Sequence, residues 1–454
     1  MIRKLLIANR GEIAVRIIRA CREMGIATVA VYSEADEESL HTQLADEAIC
    51  IGPGPSAQSY LNMEQIISAT MVSGADAIHP GFGFLSENAR FAELCEKCGI
   101  TFVGPPSKVI RMLGNKKIAR STMIAAGVPV VPGSEGDVED IETGLKEAER
   151  IGYPVIIKAA LGGGGKGMRV ANTPEEFPEA YATARKESEI AFGDGTMYIE
   201  HFVVNPRHIE FQILADSFGN VIHLGERDCS IQRNHQKMIE ESPSAAVSSE
   251  LREKMGHAAV TAAKAAGYVN AGTIEFLLEP DGKFWFMEMN TRIQVEHPVT
   301  EWVTGIDLVK EQLKIASGMP LEIAQEDVRI QGHAIECRIN AENPQKNFRP
   351  SPGTIQGAHF PGGNGIRVDT CVYNGCKIPP YYDSMLAKLI VHAGNRKEAI
   401  AKIQSALGEV IIDGIDTNID YQYEILKDED YQSGNFDTGF LASHIIAGVK
   451  INEN

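Results

Sequence analysis

Short apolar runs alternate with a helical pattern in the N-terminal part of the chain. The stretch GEIAVRIIRACREMG repeats apolar residues at helical spacing, and the runs around it are typical of strands: KLLIAN, ATVAVY, EAICIG, AIHPG and TFVGP. This alternation predicts a doubly wound parallel sheet. Such sheets bind ligands at the carboxyl ends of their strands, which directs attention to ANRGEIA at residues 8–14 and HPGFGFLSEN at residues 79–88.

Two changes of pattern divide the chain into three predicted domains. A helix followed by a turn rich in Pro and Gly begins near Gly114, and beyond residue 330 the runs QGHAIECRIN, GTIQGAHF and GIRVDTCV are typical of strands. We therefore expect an α/β domain over residues 1–113, a second domain over 114–330 and a mixed α+β domain over 331–446.

A glycine-rich loop follows the apolar strand PVIIK. Gly162, Gly164 and Gly167 match the dinucleotide fingerprint GxGxxG, but that fingerprint needs a helix directly after the loop, and the extended segment MRVAN follows here. Lys166 is followed by Gly rather than by Ser or Thr, which excludes a Walker A motif. The pattern predicts a hairpin whose bare amides can hold phosphate, with Lys158 ending its first strand. A surface hairpin with a solvent-directed lysine is the alternative.

A second hairpin is predicted in GTIEFLLEPDGKFWFMEMN. If Asp281 and Gly282 form a two-residue turn, Glu275 lies directly opposite Glu288, with Asn290 further along the same face. Opposed carboxylates repel each other, so we interpret these three side chains as ligands for Mg²⁺ or Mn²⁺. Two glutamates exposed to solvent are the alternative, but the surrounding apolar residues, including Met287, favour burial on both faces of the strand.

The segment MEMNTRIQVEHP continues this strand and has polar residues at alternate positions: Glu288, Asn290, Arg292, Gln294 and Glu296. A straight strand over these residues would extend roughly 26 Å, which one small ligand cannot span. We therefore predict a bend after Asn290.

Composition and charge restrict the possible functions. The chain has 454 residues, 44% of them hydrophobic, and its 61 acidic and 43 basic residues give a net charge of -18. This charge repels nucleic acid and anionic lipid surfaces, so neither is an expected partner. No apolar run reaches the ~18 residues that a membrane helix needs, and we find no signal peptide, so we expect a cytoplasmic protein.

The eight cysteines are scattered along the chain and do not resemble a disulfide framework. Cys95 and Cys98 form a single CxxC at what looks like a helix end, and no second pair completes a zinc site. Ordinary helix packing is favoured over a metal or redox role.

The motifs together resemble biotin carboxylase, an ATP-grasp enzyme, over residues 1 to about 445. They are IANRGEIA, HPGFGFLSEN, GNK, IIKAALGGGGKGM, ERDCSIQRNHQK, FMEMNTRIQVEHPVTE, HAIECRINAE and PPYYDSMLAKLI. The resemblance implies a Rossmann-like N-terminal domain, a central ATP-grasp domain with a lid at about residues 131–203, and the family's C-terminal domain. The implied activity is ATP- and bicarbonate-dependent carboxylation of biotin on a carrier protein through carboxyphosphate, with release of ADP and phosphate.

The resemblance also assigns the nucleotide site. Gly164 and Gly165 would belong to a lid that closes over ATP, and we expect alanine at either position to lower turnover. Glu275, Glu288 and Asn290 would hold Mg²⁺ or Mn²⁺, in agreement with the hairpin argument. The implied ATP-binding residues are Lys116, Lys158, Gly164, Gly165, Glu200, His201, Phe202, Val203, His208, Gln232, His235, Glu275, Leu277 and Glu288.

The second half of MEMNTRIQVEHP would serve bicarbonate. The implied bicarbonate-binding residues are Lys237, Arg292, Gln294, Val295 and Glu296, with Glu296 as general base. Arg338 would face the biotin ureido group, and Lys237, Arg292, Glu296 and Arg338 would form the catalytic set. A same-face pair of Arg338 with Glu336 is the alternative to that role.

Two positions depart from the family's pattern. His201 stands where the family often has lysine, and Phe82 replaces a tyrosine found in some members. Because phenylalanine has no hydroxyl group, a biotin-binding role for Phe82 is open.

The chain has no Ala-Met-Lys-Met biotinylation site and ends too early for a carboxyltransferase domain, so we expect no covalently bound biotin on it. The implied partners are a biotin carboxyl carrier protein and carboxyltransferase subunits, as in the acetyl-CoA carboxylase of fatty acid synthesis. A homodimer is also implied, with Arg19 and Glu23 at its interface.

Other functions are compatible with some of these motifs. A free-standing subunit of a pyruvate or other acyl-CoA carboxylase would have the same motifs. A different ATP-grasp ligase could use the same metal ligands and lysines, but it would not need TRIQVEHP together with Arg338. A non-catalytic ATP-binding module would need neither Glu296 nor Arg338, and an NAD oxidoreductase is excluded because no helix follows the glycine loop.

Overall fold

The computed structural model describes residues 1–134, 136–159, 168–192, 195–234 and 236–451. They form two compact units. One unit comprises Met1–Val128, Arg207–Phe276 and Glu288–Ile451, and the other comprises Pro129–Pro206 and Leu277–Met287.

The helices and strands of the N-terminal part match the predicted alternation. In chain order they are β1 Lys4–Ile7, α1 Gly11–Glu23, β2 Ala27–Tyr32, α2 Leu40–Leu44, β3 Glu47–Cys50, α3 Met63–Ser73, β4 Ala77–His79, α4 Ala89–Lys97, β5 Thr101–Phe102, α5 Ser107–Leu113 and α6 Lys116–Ala125. The five strands pair in parallel in the order β3-β2-β1-β4-β5, which confirms the parallel sheet.

The middle of the chain supplies most of the long strands. Its elements are α7 Ile141–Ile151, β6 Val155–Ala159, β7 Met168–Ala171, α8 Phe177–Phe192, β8 Met197–His201, β9 Arg207–Ala215, β10 Val221–Arg233, β11 Gln236–Ser242, α9 Ser249–Ala265, β12 Asn270–Leu278, β13 Phe284–Asn290, α10 His297–Thr304 and α11 Leu308–Ala316.

The C-terminal part is mixed, as predicted. Its elements are β14 His333–Asn340, β15 Glu342–Asn343, β16 Arg349–Pro350, β17 Gly353–Thr354, β18 Gly357–His359, β19 Ile366–Thr370, β20 Lys377–Ile378, β21 Met385–Ala393, α12 Arg396–Glu409, β22 Ile411–Asp413, α13 Ile419–Lys427, α14 Glu429–Ser433, α15 Phe440–Ser443, β23 Ile445–Ile446 and β24 Val449–Lys450.

One large sheet organises the site. Its strand order is β13-β12-β9-β10-β11-β14-β21-β19, so β14 joins strands of the expected second domain to strands of the expected third domain. Apolar residues of β14, β21 and α12 form the core on one side of these strands, including Ile335, Leu389 and Ile403. The expected α/β and α+β fold class is confirmed.

The second unit contains the predicted glycine-loop hairpin. Its strands β6 and β7 are antiparallel with Lys158 opposite Met168, and β8 completes a three-stranded sheet. Val155, Ile157 and Phe177 lie in the apolar core of this unit. Gly162, Gly164, Gly165 and Gly167 lie outside the described residues.

The turn between β12 and β13 differs from the prediction. The Glu279 carbonyl accepts a hydrogen bond from Gly282 N–H, and the Glu279 N–H donates to the Lys283 carbonyl, so the loop has three residues. Gly282 adopts φ +87°, which suits the glycine of such a bulged turn. The predicted two-residue turn at Asp281 and Gly282 is wrong, and so is the register calculated from it, which placed Glu275 directly opposite Glu288.

Burial on both faces of β13 is also wrong. Phe286 and Met289 are buried, but Met287 is 40% exposed and Glu288 is also exposed. The predicted bend is confirmed, because β13 ends at Asn290 and no strand continues through residues 291–296. Among the described residues, no helix has the length and apolar character required to cross a membrane.

Candidate active site

Lys237 faces the centre of the site because β11 carries an extra residue. Ile239 pairs with Ile231, but Lys237 pairs with Gln232, so Met238 has no partner of its own on β10. An inserted residue reverses the alternation of side chains along a strand. Lys237 consequently lies on the same face of the sheet as Glu240, which simple alternation from the sequence would not predict.

The ammonium group of Lys237 joins three buried carboxylates. Its Nζ lies 2.6 Å from Glu210, 2.9 Å from Glu275 and 2.7 Å from Glu296. Burial opposes the charge on Lys237, but the carboxylates outweigh burial and raise its pKa well above the usual value. The three carboxylates thus fix both the charge and the position of Lys237.

Arg227 contacts this cluster through Glu210. It is fully buried and lies directly opposite Glu210, with Nε 2.5 Å from the Glu210 carboxylate. Its Nη1 donates both to Gln212 at 2.8 Å and to Thr300 at 2.9 Å. Arg227 thereby fixes Glu210, which in turn holds Lys237. Neither Arg227 nor Glu210 was predicted as a site residue from the sequence.

Glu296 stands between two cations at the start of α10. One oxygen accepts from Lys237 at 2.7 Å, and the other accepts from Arg338 at 2.8 Å. Burial alone would raise the pKa of this carboxyl, but Lys237, then Arg338, hold it well below its usual range. The side chain is therefore an anion throughout the physiological pH range.

Arg338 also binds Glu240, at 2.5 Å, so it bridges two buried carboxylates. The alternative pairing with Glu336 is not observed, since neither Glu336 oxygen has a hydrogen-bond partner among the described residues. Arg338 thus belongs to the same charged cluster as Glu296.

The segment after β13 is held by a residue that the sequence analysis did not select. Glu87 accepts hydrogen bonds from the Thr291 N–H at 2.9 Å and from Arg292 Nε at 3.0 Å. Arg292 Nη1 donates to Gln294 at 2.8 Å. Glu87 lies within the quoted HPGFGFLSEN motif, so a carboxylate following a strand end was the available signal.

Lys388 fixes the next part of the segment. Its fully buried Nζ donates to the Val295 carbonyl at 2.9 Å and lies 3.1 Å from Glu12. This contact fixes the backbone of the residue directly before Glu296. Lys388 was also missed in the sequence, because β21 is about ninety residues further along the chain.

The expected metal ligands are oxygen donors with excess negative charge. Glu275 accepts from Lys237 and from Gln294 at 3.2 Å, and Asn290 is buried. Loss of hydration at Glu288, together with the nearby charges of Glu275 and Glu87, raises the pKa of Glu288. Two carboxylates that repel each other beside an amide fit a divalent cation such as Mg²⁺ or Mn²⁺.

Some of the residues expected to bind the nucleotide lie in the first unit. His208 is buried with Nε2 3.0 Å from Glu275, whose charge helps to raise the pKa of the imidazole against the effect of burial. Gln232 is buried on β10, and Lys116 begins α6. His235 lies outside the described residues.

The other described residues expected to bind the nucleotide belong to the second unit. Lys158 forms an ion pair with Glu200 at 2.5 Å, and both side chains keep some contact with solvent. The His201 N–H donates to the Pro132 carbonyl, and the Phe202 N–H donates to the Pro154 carbonyl. Val203 is buried and Leu277 is half-buried.

Phe82 lies in the loop after β4. Its ring is half-buried against the apolar core that includes α1 and α11, and its carbonyl accepts from Asn9 at 2.7 Å.

Three family models match the chain. The biotin carboxylase N-terminal domain matches residues 1–110, the carbamoyl-phosphate synthase L chain ATP-binding domain matches 115–324, and the biotin carboxylase C-terminal domain matches 336–443. With the clustered lysine, arginine and carboxylate side chains, these matches define an ATP-dependent ligase.

Similarity to known proteins extends over nearly the whole chain. Biotin carboxylase 1 of Bacillus subtilis is 60% identical over 99% of this chain and 100% of its own length. The biotin carboxylase domain dimer of Hydrogenobacter thermophilus 2-oxoglutarate carboxylase, solved with MgADP, ADP and bicarbonate, is 51% identical with a TM-score of 0.89, over 98% of each chain. The biotin carboxylase subunit of a pyruvate carboxylase is 53% identical with a TM-score of 0.90, also over 98% of each chain. The chain belongs to the biotin carboxylase family.

Proposed function

We propose that this protein carboxylates biotin on a separate carrier protein, using ATP and bicarbonate, and that carboxyphosphate is the intermediate. The observation that carries the proposal is Glu296, a buried carboxylate held by Lys237 on one oxygen and by Arg338 on the other. A base for bicarbonate thus lies between a cation suited to bicarbonate and a cation suited to the biotin ureido oxygen. ATP binding alone would require neither arrangement.

Arriving bicarbonate changes the properties of Glu296. The two cations that keep its pKa low also make it a weak base. In the proposed complex Lys237 donates to bicarbonate, and the planar donor group of Arg292 binds the same anion. Glu296 then loses part of its stabilisation, becomes more basic and accepts the bicarbonate proton.

Arg338 acts on the second substrate. A ureido nitrogen becomes a competent nucleophile when its carbonyl oxygen can bear negative charge, and a guanidinium group stabilises that charge. Because Arg338 also contacts Glu296, the biotin side and the bicarbonate side share one charged group.

Glu275, Glu288 and Asn290 would hold the divalent cation. When bound, that cation offsets the charge of the ATP phosphates and orients them for phosphoryl transfer. Lys116, Lys158 and His208 are the proposed contacts of this chain to the nucleotide, and Gly164 and Gly165 are proposed parts of its lid.

The proposed activity is tested with ATP, Mg²⁺, bicarbonate and free biotin. We expect ADP and phosphate release that requires bicarbonate and increases with biotin, together with carboxybiotin formation. ATP consumption driven by another carboxylate and indifferent to biotin would instead indicate a different ATP-grasp ligase. ATP binding without turnover under all these conditions would indicate a regulatory module.

The proposed partners are a biotin carboxyl carrier protein and a carboxyltransferase. We favour acetyl-CoA as the final acceptor, which is what the resemblance of the motifs to the carboxylase subunit of acetyl-CoA carboxylase implies. The related structures from a pyruvate carboxylase and a 2-oxoglutarate carboxylase make those acceptors the alternatives. Co-purification of the native complex and identification of its transferase would distinguish these possibilities.

We further propose a homodimer that uses Arg19 and Glu23. Both residues are exposed on α1, and Glu23 pairs with Lys310 within the chain. A mass measurement in solution tests the dimer. The cytoplasmic location stays a prediction, because similar proteins include the chloroplastic biotin carboxylase of Arabidopsis thaliana.

A further inference from the structure

Two fully buried glutamates near Arg338 lie directly opposite each other on neighbouring strands. Glu240 on β11 pairs with Glu336 on β14, and both side chains have no exposure to solvent. Opposed residues of antiparallel strands have Cβ atoms about 4.5–5.5 Å apart, so two carboxyl groups there interact strongly.

Hydrogen bonding separates these two groups from the other carboxylates of the site. Glu240 uses Oε1 to accept from Arg338, while its Oε2 has no partner within the described ranges. Both oxygens of Glu336 likewise lack a donor among the residues that the structure describes. Three buried oxygen atoms without donors are incompatible with two full negative charges.

A proton resolves this conflict. A protonated carboxyl donates one hydrogen bond, so a single proton can satisfy one oxygen of each glutamate and remove one charge. Burial, together with the other buried carboxylates, raises the pKa of Glu240 to about 7 and that of Glu336 well above its usual range, despite Arg338 and Lys388.

We propose that Glu240 and Glu336 share one proton at neutral pH, and that this proton preserves the positive charge of Arg338 for the biotin side of the site. The second half of this statement rests on the proposed function, whereas the first half does not. Glu240 and Glu336 are positioning residues, since they act through Arg338.

The charged surroundings explain why the pair is sensitive to pH. Arg338 faces three acidic side chains: Glu296, Glu240 and Glu336. With the shared proton in place, Arg338 faces two negative charges. Loss of that proton adds a third negative charge, which weakens the attraction of Arg338 for a developing oxyanion. The titratable and charged groups that face the pair are Lys237 on β11, Cys229 on β10, Cys337 and Arg338 on β14, Lys388 on β21 and Glu296 at the start of α10. Lys388 in turn faces Glu12 on α1, Arg367 and Asp369 on β19, and His297 on α10, and Arg367 pairs with Glu301.

Infrared difference spectroscopy of the full-length protein tests the shared proton directly. We expect the wild-type protein at pH 7 to show a carbonyl band of a protonated carboxyl that shifts in D₂O and is lost in Glu336→Gln. The exposed control Glu326→Gln should keep the band. No band in the wild-type protein, or an unchanged band in Glu336→Gln, would overturn the proposal.

The stability of the variant provides a check on folding. A carboxyl with a raised folded-state pKa stabilises the protein at low pH and loses that contribution as pH rises through the folded-state value. Glu336→Gln should therefore unfold at an equal or higher temperature than the wild-type protein at pH 8. If the unfolding temperature of Glu336→Gln minus that of the wild-type protein is lower at pH 8 than at pH 6, the shared proton is contradicted.

The role at Arg338 is tested separately by carboxylation of free biotin across the pH range. The ratio of wild-type to Glu336→Gln turnover should fall as pH rises through neutrality, because only the wild-type pair can lose its proton. A constant ratio would overturn the role at Arg338. A wild-type protein without carboxylase activity would refute the proposed function, and the infrared result would still decide the shared proton.

Discussion

The charged side chains proposed for the site differ in burial between the two units. In the first unit Arg227, Lys237 and Glu296 are almost completely buried, and each has two or more charged or polar partners. In the second unit Lys158 pairs with Glu200, and about a third of the lysine side chain remains exposed. Buried groups cannot exchange a protein partner for water at low cost, whereas exposed groups can. The proposed bicarbonate site is therefore assembled before substrates arrive, whereas Lys158 can readily exchange Glu200 for the phosphate that we propose it binds.

The largest effect is expected from Glu296→Gln. If the buried charges perform the chemistry, removal of the base should lower bicarbonate-dependent ATP turnover by roughly 10²–10⁴-fold, because glutamine cannot accept the proton. ATP affinity, measured by calorimetry, should stay within a few-fold of wild type. Full carboxylation activity in this variant would refute the role of Glu296.

Arg227→Met is expected to affect stability almost as strongly. The substitution leaves Glu210 buried with one cation fewer, which should cost about 3–5 kcal/mol in the free energy of unfolding measured with urea. Arg111→Met is the matched control, since Arg111 is largely exposed in its pair with Glu93 and should cost less than about 1 kcal/mol. Equal losses in the two variants would remove the distinction between buried and exposed pairs.

His79 extends the comparison to a buried neutral group. Its Nδ1 accepts from the Gly81 N–H at 3.0 Å, and Nε2 lies 3.2 Å from Gln312, so the ring has no room for a second proton. Burial lowers its pKa to about 4, and the unfolded chain therefore binds a proton first as pH falls below 6.5. That stability is lost from about pH 6.5 down to about pH 4.

The corresponding variant is His79→Asn, with exposed His257→Asn as control. Between pH 7 and pH 4.5 the wild-type protein should lose about 2 kcal/mol more unfolding free energy than His79→Asn. His257→Asn should follow the wild-type curve. Parallel curves for wild type and His79→Asn would show that this imidazole does not titrate as its burial implies.

The smallest effect is expected on the nucleotide side. Lys158→Gln should raise the KM for ATP by roughly 10-fold, because one charged contact to phosphate is lost, while protein stability changes by less than about 1 kcal/mol. Lys146→Gln, which removes an exposed lysine paired with Glu142, is the control and should leave the KM unchanged. A large loss of stability in Lys158→Gln would show that this pair resembles the buried cluster.

Much of the architecture could be predicted from local patterns. The alternation around α1 identified the parallel sheet, and the absence of a helix after PVIIK identified a hairpin rather than a dinucleotide fold. Strands and helices follow from periodic burial, which a sequence records directly. The turn at Glu279 was predicted incorrectly, because Asp-Gly is compatible with both a two-residue turn and a bulged three-residue turn.

The site was less accessible to prediction. Glu296 and Arg292 were selected from motif resemblance, but their supports were not. Glu87, Glu240 and Lys388 come from three distant segments, and the hydrogen bonds that join them to the site depend on sheet order.

Local sequence patterns were enough to predict the class of fold, the bend after Asn290 and the residue types available for ATP, a metal ion and an anion. Which charges meet could be read only from the folded chain. The extra residue at Met238 turns Lys237 toward Glu296, and the pairing of β11 with β14 opposes Glu240 to Glu336. Burial and strand register arise from packing between distant strands, and they set both the partner and the protonation of each charged side chain.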